Sequence, residues 1–293
     1  MRAGTVAVAS WLALMPGALV AQHTPVPLPG TEFRTLHSAV LDRDMELYVK
    51  LPRSYGDGTR TYPVLFTTDG NRSFPLYATT SLIYETPGEG NQEIVIVGIG
   101  YHVDDDPLLG LADWARWRTE DLTPERRPAV EASWTARLSG LEPDRPRIGV
   151  RTGGAPAFLR FIRTEVIPFI EANYRVSSAD RGLAGYSYGG LFTLYALFHS
   201  PETFSRYFVG DPTVWDEVFE YEAAHAASHD DLPAHVAIVT MGARAPVQRL
   251  VDRLRSRRYP SLDLRVGVIE DEAHAAGMPG AISRGLRLLY DLK

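Results

Sequence analysis

The sequence holds no cysteine. Disulfides, thiol nucleophiles, iron–sulfur clusters and thiolate zinc sites are excluded with it, so covalent chemistry must run through oxygen or nitrogen. Lysine is almost missing as well, present only at Lys50 and Lys293, and arginine carries the positive charge. That charge is not in surplus. The 30 Lys+Arg stand against 36 Asp+Glu for a net charge of −6, which leaves no field to draw in a phosphate backbone, and nucleic acid is not an expected partner. Beyond the N-terminus no run approaches the roughly 20 apolar residues of a membrane-spanning helix, so no stable membrane insertion is expected. Internal repeats and low-complexity tracts are missing too, and nothing bears on oligomeric state.

What is present is an ordinary globular composition of 293 residues, 45% hydrophobic and 23% charged, enough to bury a large core. Residues 1–21 differ from the rest. Arg2 precedes a mostly apolar run from Ala3 to Val20, broken by Pro16 and Gly17, and small Ala21 comes before polar Gln22. This pattern predicts a signal peptide cleaved near Ala21, hence a secreted or periplasmic protein. A membrane anchor is the competing reading, and Pro16 would kink it. Residues 22–293 are expected to form one domain.

From Met45 to Leu51, apolar Met45, Leu47, Val49 and Leu51 alternate with Glu46, Tyr48 and Lys50, the two-residue period of a half-buried strand, with a partner around Glu32–Leu41 that makes an antiparallel opening hairpin. Three later runs, Val64–Phe66, Ile94–Val97 and Ala237–Val239, are apolar at consecutive positions, as in parallel strands covered on both faces. Helical spacing follows over about 157–174, after Gly190, and over about 247–258 and 281–290. Strands alternating with helices specify an α/β fold with a mostly parallel, doubly wound sheet. Residues 101–155 break the rhythm with little periodicity, prolines that include Pro124, Pro128, Pro143 and Pro146, and the rings of Tyr101, Trp114, Trp117 and Trp134; they are expected to be an insertion after the fourth strand, lying over the sheet.

The chemistry is concentrated in Gly185-Tyr186-Ser187-Tyr188-Gly189-Gly190, between the short strand Gly182–Ala184 and a helix beginning at Leu191. In this frame serine occupies a tight strand-to-helix turn, with glycines relieving the crowding and the hydroxyl exposed above the sheet. A serine nucleophile needs a base to take its proton. Of His199, His225, His229, His235 and His274, only His274 follows a late strand, Leu264–Val268, and precedes the final helix, where the histidine of the Ser…Asp/Glu…His order falls. The N–H of Tyr188, next after the nucleophile, is the expected first oxyanion donor.

The chain resembles the esterase branch of the α/β-hydrolases, which includes siderophore esterases, feruloyl esterases and S-formylglutathione hydrolases. The resemblance runs from about residue 35 to the C-terminus. It is carried by Tyr62-Pro63-Val64-Leu65-Phe66 with Asp69-Gly70, by Arg118-Thr119-Glu120-Asp121-Leu122-Thr123-Pro124, by Ala184–Phe192, by Asp211-Pro212-Thr213 with Trp215, and by His274. It implies an α/β-hydrolase fold and hydrolysis of a small-molecule carboxylic ester, siderophore-like or an aryl or acyl-sugar ester, through an acyl-enzyme and without metal or organic cofactor. It also implies a second oxyanion N–H at Asn71 and a substrate contact at Arg118, for which a structural pair with Glu120 or Asp121 is the alternative.

The acid departs from the pattern. In many members of the family that it resembles a Glu or Asp follows the strand that here is Val236–Met241, but the loop reads Gly242-Ala243-Arg244-Ala245-Pro246. Asp211 from the preceding strand, a carboxylate among Glu270, Asp271 and Glu272, or a Ser-His dyad all remain open, and Asp211 could instead cap the following helix. Glu222, His225 and His229 have helical spacing but are read as a solvated surface rather than metal ligands. Two rivals share these motifs: an acyltransferase, revealed by products formed with an added alcohol, and a catalytically weak ligand-binding protein, which would not be labelled by a fluorophosphonate.

Overall fold

The computed structural model describes residues 27–86, 92–141 and 149–290, and the expected leader at 1–21 lies outside them. Eight strands form one sheet: β1 (Thr31–Ser38), β2 (Arg43–Lys50), β3 (Tyr62–Thr67), β4 (Val95–Tyr101), β5 (Val176–Tyr186), β6 (Arg206–Gly210), β7 (His235–Met241) and β8 (Asp263–Ile269). Their order is β1-β2-β4-β3-β5-β6-β7-β8. The opening hairpin pairs antiparallel in the register Thr31↔Lys50 to Ser38↔Arg43, and β2 joins β4 antiparallel. Every other pair is parallel.

Side chains alternate across the sheet. Val64, Phe66, Val95, Val97, Leu183 and Ile238 belong to a larger core on one face, while Leu65, Ile96, Ala184, Phe208, Ala237 and Val239 belong to a second core on the other. Burial on both faces is why these strands read as unbroken apolar runs. In β2, by contrast, Met45, Leu47 and Val49 face the larger core, while the other face carries Glu46 and Lys50 with only Tyr48 packed on the second core.

The helices are α1 (Gly70–Tyr84), α2 (Pro107–Asp121), α3 (Pro128–Leu141), α4 (Ala155–Phe161), α5 (Ile167–Asn173), α6 (Tyr188–His199), α7 (Asp216–Ser228), α8 (Ala245–Arg257) and α9 (Met278–Tyr290). Between α4 and α5 one π-helical turn spans Ile162–Val166. None of the helices among the described residues is long and apolar enough to cross a membrane.

The insertion follows the fourth strand as expected, yet it is not irregular: α2 and α3 occupy much of it. Two things hid them. The inward face of α2 carries polar Arg118, Thr119 and Asp121, all buried, so hydrophobicity does not repeat at 3.6 residues. Ala112, Ala115, Leu138 and Val150 close a small separate core made largely of residues too small to give a strong apolar stripe. The start of α2 was nevertheless written in the sequence, because the Asp106 carboxylate accepts the N–H groups of Leu108 (2.9 Å) and Leu109 (3.1 Å) with proline at the first helical position, a standard helix start.

One buried ion pair anchors the far end of α1. Lys50, wholly enclosed, donates to Glu85, whose carboxylate also accepts the Arg53 N–H at 3.1 Å. Glu85→Ala strands a charge in the interior and is expected to cost about 3–5 kcal/mol, read from urea unfolding; a loss below about 1 kcal/mol would mean that water reaches Lys50.

Candidate active site

The turn between β5 and α6 sets the site. Ser187 sits there with φ 62° and ψ −116°, a conformation that costs about 1–3 kcal/mol and persists only when its surroundings fix it. They do. Its N–H donates to Gly210 O (2.9 Å), and its carbonyl accepts the N–H groups of Leu191 and Thr213 (3.1 Å each). The flanking glycines are required by close approach: a β-carbon on Gly185 would lie 2.1 Å from Gly189 O, and one on Gly189 would lie 2.3 Å from Thr68 Oγ1.

His274 comes from the loop between β8 and α9. Its Nδ1 is hydrogen-bonded to Asp211 Oδ2, which leaves Nε2 available for a substrate proton. The ring lies on Tyr186 with centroids 5.0 Å apart, and the Tyr186 hydroxyl donates to the His274 carbonyl. Burial and the nearby Asp211 carboxylate push the Tyr186 phenol well up, so it stays a neutral donor.

Asp211 leaves the end of β6 with φ 32° and its N–H donates to Val239 O at 2.6 Å. The side chain is 1% exposed. Oδ1 accepts three donors, Thr240 Oγ1 (3.0 Å), Met241 N–H (3.1 Å) and Arg244 Nη1 (3.1 Å). Burial alone would raise this carboxyl, but the hydrogen bonds from His274, the Met241 N–H and Arg244, with the Arg244 charge, outweigh it and hold the group at about 2. It is therefore ionised throughout the neutral range. Asp211 caps no helix: α7 begins at Asp216 behind Trp215, with no side-chain cap. Of the local carboxylates, Glu272 borders a cleft with Ser187, Asp211, Arg244 and His274, but the His274 ring bonds to Asp211. Arg244 escaped the sequence reading. Its signal was a cation in the loop after β7 where a carboxylate was looked for, and that cation meets the Asp211 carboxylate.

The first-turn N–H groups of α1 and α6 have no intrahelical partners, and these include Asn71 and Tyr188. The Asn71 side chain is committed elsewhere: Nδ2 donates to Tyr101 O (2.8 Å) and Oδ1 accepts the Tyr101 N–H (2.7 Å), tying this turn to β4. Arg118 pairs with neither Glu120 nor Asp121. It spans Asp69 with Nε–Oδ1 2.7 Å and Nη2–Oδ2 3.0 Å, while Asp121 is taken by Arg43. Ser187, His274, Arg118, Asp69 and Trp114 all border one cavity of about 330 Å3, at the carboxyl ends of the strands where α/β sheets bind ligands.

Elsewhere, Glu222 and His225 are buried rather than solvated; Arg257 holds the Glu222 carboxylate at 2.7 and 3.0 Å, and the rings of His225 and His229 stack at 4.5 Å. His235 pairs with Asp263 at the amino ends of β7 and β8, the end of the sheet opposite Ser187.

The family described as "Putative esterase" matches residues 38–121 and 142–241. The chain is 27% identical over 306 residues to the siderophore triacetylfusarinine C esterase of Aspergillus fumigatus, a match that covers 92% of this chain and 96% of that one. With the ferri-bacillibactin esterase BesA of Bacillus subtilis it shares 30% identity over 196 residues, 66% of this chain and 62% of that one. In fold it resembles the BES protein from Bacillus cereus, with a TM-score of 0.72 at 23% identity over 92% of this chain and 97% of that one. The chain therefore belongs to this esterase family of the α/β-hydrolase superfamily.

Proposed function

We propose that this carboxylic ester hydrolase acts through Ser187, with His274 as general base and acid and Asp211 as the orienting carboxylate. The observation that carries the assignment is the Asp211–His274 hydrogen bond beside a strained serine on the same cavity. Ser187 Oγ attacks the ester carbonyl carbon as its proton passes to His274 Nε2. The oxyanion is met by the N–H groups of Tyr188 and Asn71. Collapse expels the alcohol, which receives the proton from His274, and leaves an acyl-Ser187 ester. Water then attacks that ester, giving its proton to His274, and release of the carboxylic acid returns the proton to Ser187. No metal or organic cofactor enters these steps.

The substrate is read as a siderophore-like ester, because the relatives named above act on triacetylfusarinine C and ferri-bacillibactin. The leader pattern of residues 1–21 supports export to the periplasm or medium. A panel of trilactone siderophores, hydroxamate siderophore esters, aryl esters and acylated sugars, with Ser187→Ala as blank, tests the reading. Siderophore esters should give the highest kcat/KM, and absence of Ser187-dependent turnover on every member would refute it.

Arg244 acts through Asp211 as a positioning residue. Removing one charge-assisted hydrogen bond of about 1.5–3 kcal/mol by Arg244→Gln should lower kcat about tenfold with KM little changed, and Arg244→Lys should restore part of the loss. An effect on KM alone would instead place Arg244 against the substrate.

A further inference from the structure

The cavity that holds Ser187 and His274 has an uneven charge balance. The carboxylate on its wall among the described residues is Asp69, and both its oxygens are already spanned by buried Arg118. A second arginine borders the same cavity without such a partner. Arg72, exposed on the first turn of α1, places its guanidinium 4.5 Å from the Trp114 ring centroid, and its side chain makes no ion pair or hydrogen bond among the described residues. Trp114 in turn has the Arg118 guanidinium 4.9 Å from its ring. Stacking fixes the plane of the Arg72 fork, so little side-chain freedom is lost when it meets a planar anion.

Three further residues of the wall carry unpaired polar atoms able to donate. Trp114 Nε1, Tyr77 Oη and Thr68 Oγ1 are buried with no hydrogen-bond partner, and all three residues border the cavity. An indole N–H can only donate, and burial keeps the Tyr77 phenol protonated. Unpaired buried donors are costly unless a ligand satisfies them. The complement of this wall is a group rich in oxygen acceptors and bearing negative charge.

We infer that Arg72, rather than Arg118, is the specificity-determining cation of the site, and that it selects esters carrying an anionic oxygen group such as a carboxylate or an ionised phenol. This rests on the esterase reading above and deepens it. Arg118 is held by Asp69, whereas Arg72 is open to solvent and needs no partner displaced before it pairs with a ligand. An exposed cation beside a ring is often only a surface stack worth about 0.5–1 kcal/mol; the position of Arg72 on the reactive cavity is what sets it apart.

Matched ester pairs test the inference. Phenyl hydrogen terephthalate is compared with phenyl methyl terephthalate, and 4-carboxyphenyl acetate with its methyl ester, which places the anion on the acyl or the alcohol part in turn. The wild type should favour the anionic member of at least one pair by about tenfold or more in kcat/KM, expressed mainly in KM. In Arg72→Gln that ratio should fall to about 1, in Arg72→Glu below 1, and in Arg72→Lys it should stay between wild type and Arg72→Gln. A wild type indifferent to charge in both pairs, or a ratio that survives Arg72→Gln, overturns the role of Arg72. Hydrolysis of the neutral esters that persists in Ser187→Ala would instead overturn the esterase reading, so the two failures are separable.

Discussion

Ser187→Ala should abolish turnover of every ester the protein accepts, with kcat falling by roughly 10^5 to 10^6. The alcohol is the only part removed. Alanine keeps the β-carbon at φ 62°, so the strain at the turn is unchanged, and the backbone bonds to Gly210, Leu191 and Thr213 remain. The variant should therefore unfold at the wild-type urea midpoint while losing covalent labelling by a fluorophosphonate. Residual activity above about 1% would mean that another group carries the attack. A midpoint shifted by more than experimental scatter would assign the loss to folding instead.

Asp211→Asn should lower kcat by about 10^4, a loss larger than removal of a hydrogen bond alone would give. In the native site Oδ1 faces three donors, from Thr240, Met241 and Arg244. An asparagine is forced to leave its oxygen on that side and turn its NH2 toward His274. The amide then donates to Nδ1, the ring proton moves to Nε2, and the nitrogen that should receive the serine proton can no longer accept one. Because Asp211 is held at about 2, the carboxylate is charged across the working range, and the deficit should be present at every pH from 5 to 8. Steady-state rates across that range decide the matter, and a loss below about tenfold would favour the Ser-His dyad.

The same carboxyl gives a stability signature. A group held lower in the folded chain than its ordinary value of 3.8 stabilises the fold above that pH, and the contribution disappears as pH falls toward 2. The wild type should lose stability over that interval more steeply than Asp211→Asn, as urea titrations at stepped pH would show.

The sheet, the sharp turn at Ser187 and the loop that carries His274 were legible because each depends on local chemistry. The β5–α6 turn requires glycine at 185 and 189, which frames Ser187 in the sequence, and runs such as Val95–Val97 are apolar at every position because both faces are covered. The partners of Arg118 and Asp211 were not legible to the same degree. Asp69 and Arg118 are 49 positions apart, and Asp211 and His274 are 63 apart, so their meeting depends on strand order and on where the insertion lands. Asp211 was one of three options for that reason, and the Asp69 pairing was not foreseen at all. The helices of the insertion were missed because buried Arg118, Thr119 and Asp121 take positions where a periodicity argument looks for leucine or valine.

The two ion pairs of α2 have a consequence for how substrate comes and goes. Arg118–Asp69 fastens the last turn of this helix to the turn ahead of α1, and Asp121–Arg43 fastens the same turn to β2, both with side chains largely shielded from water. A roof pinned twice through one turn does not lift at that end with each catalytic cycle. Product should then leave sideways past Arg72, at a speed set by the size of the doorway and indifferent to solvent viscosity at the roof. Breadth of substrate choice becomes a matter of clearance at that rim.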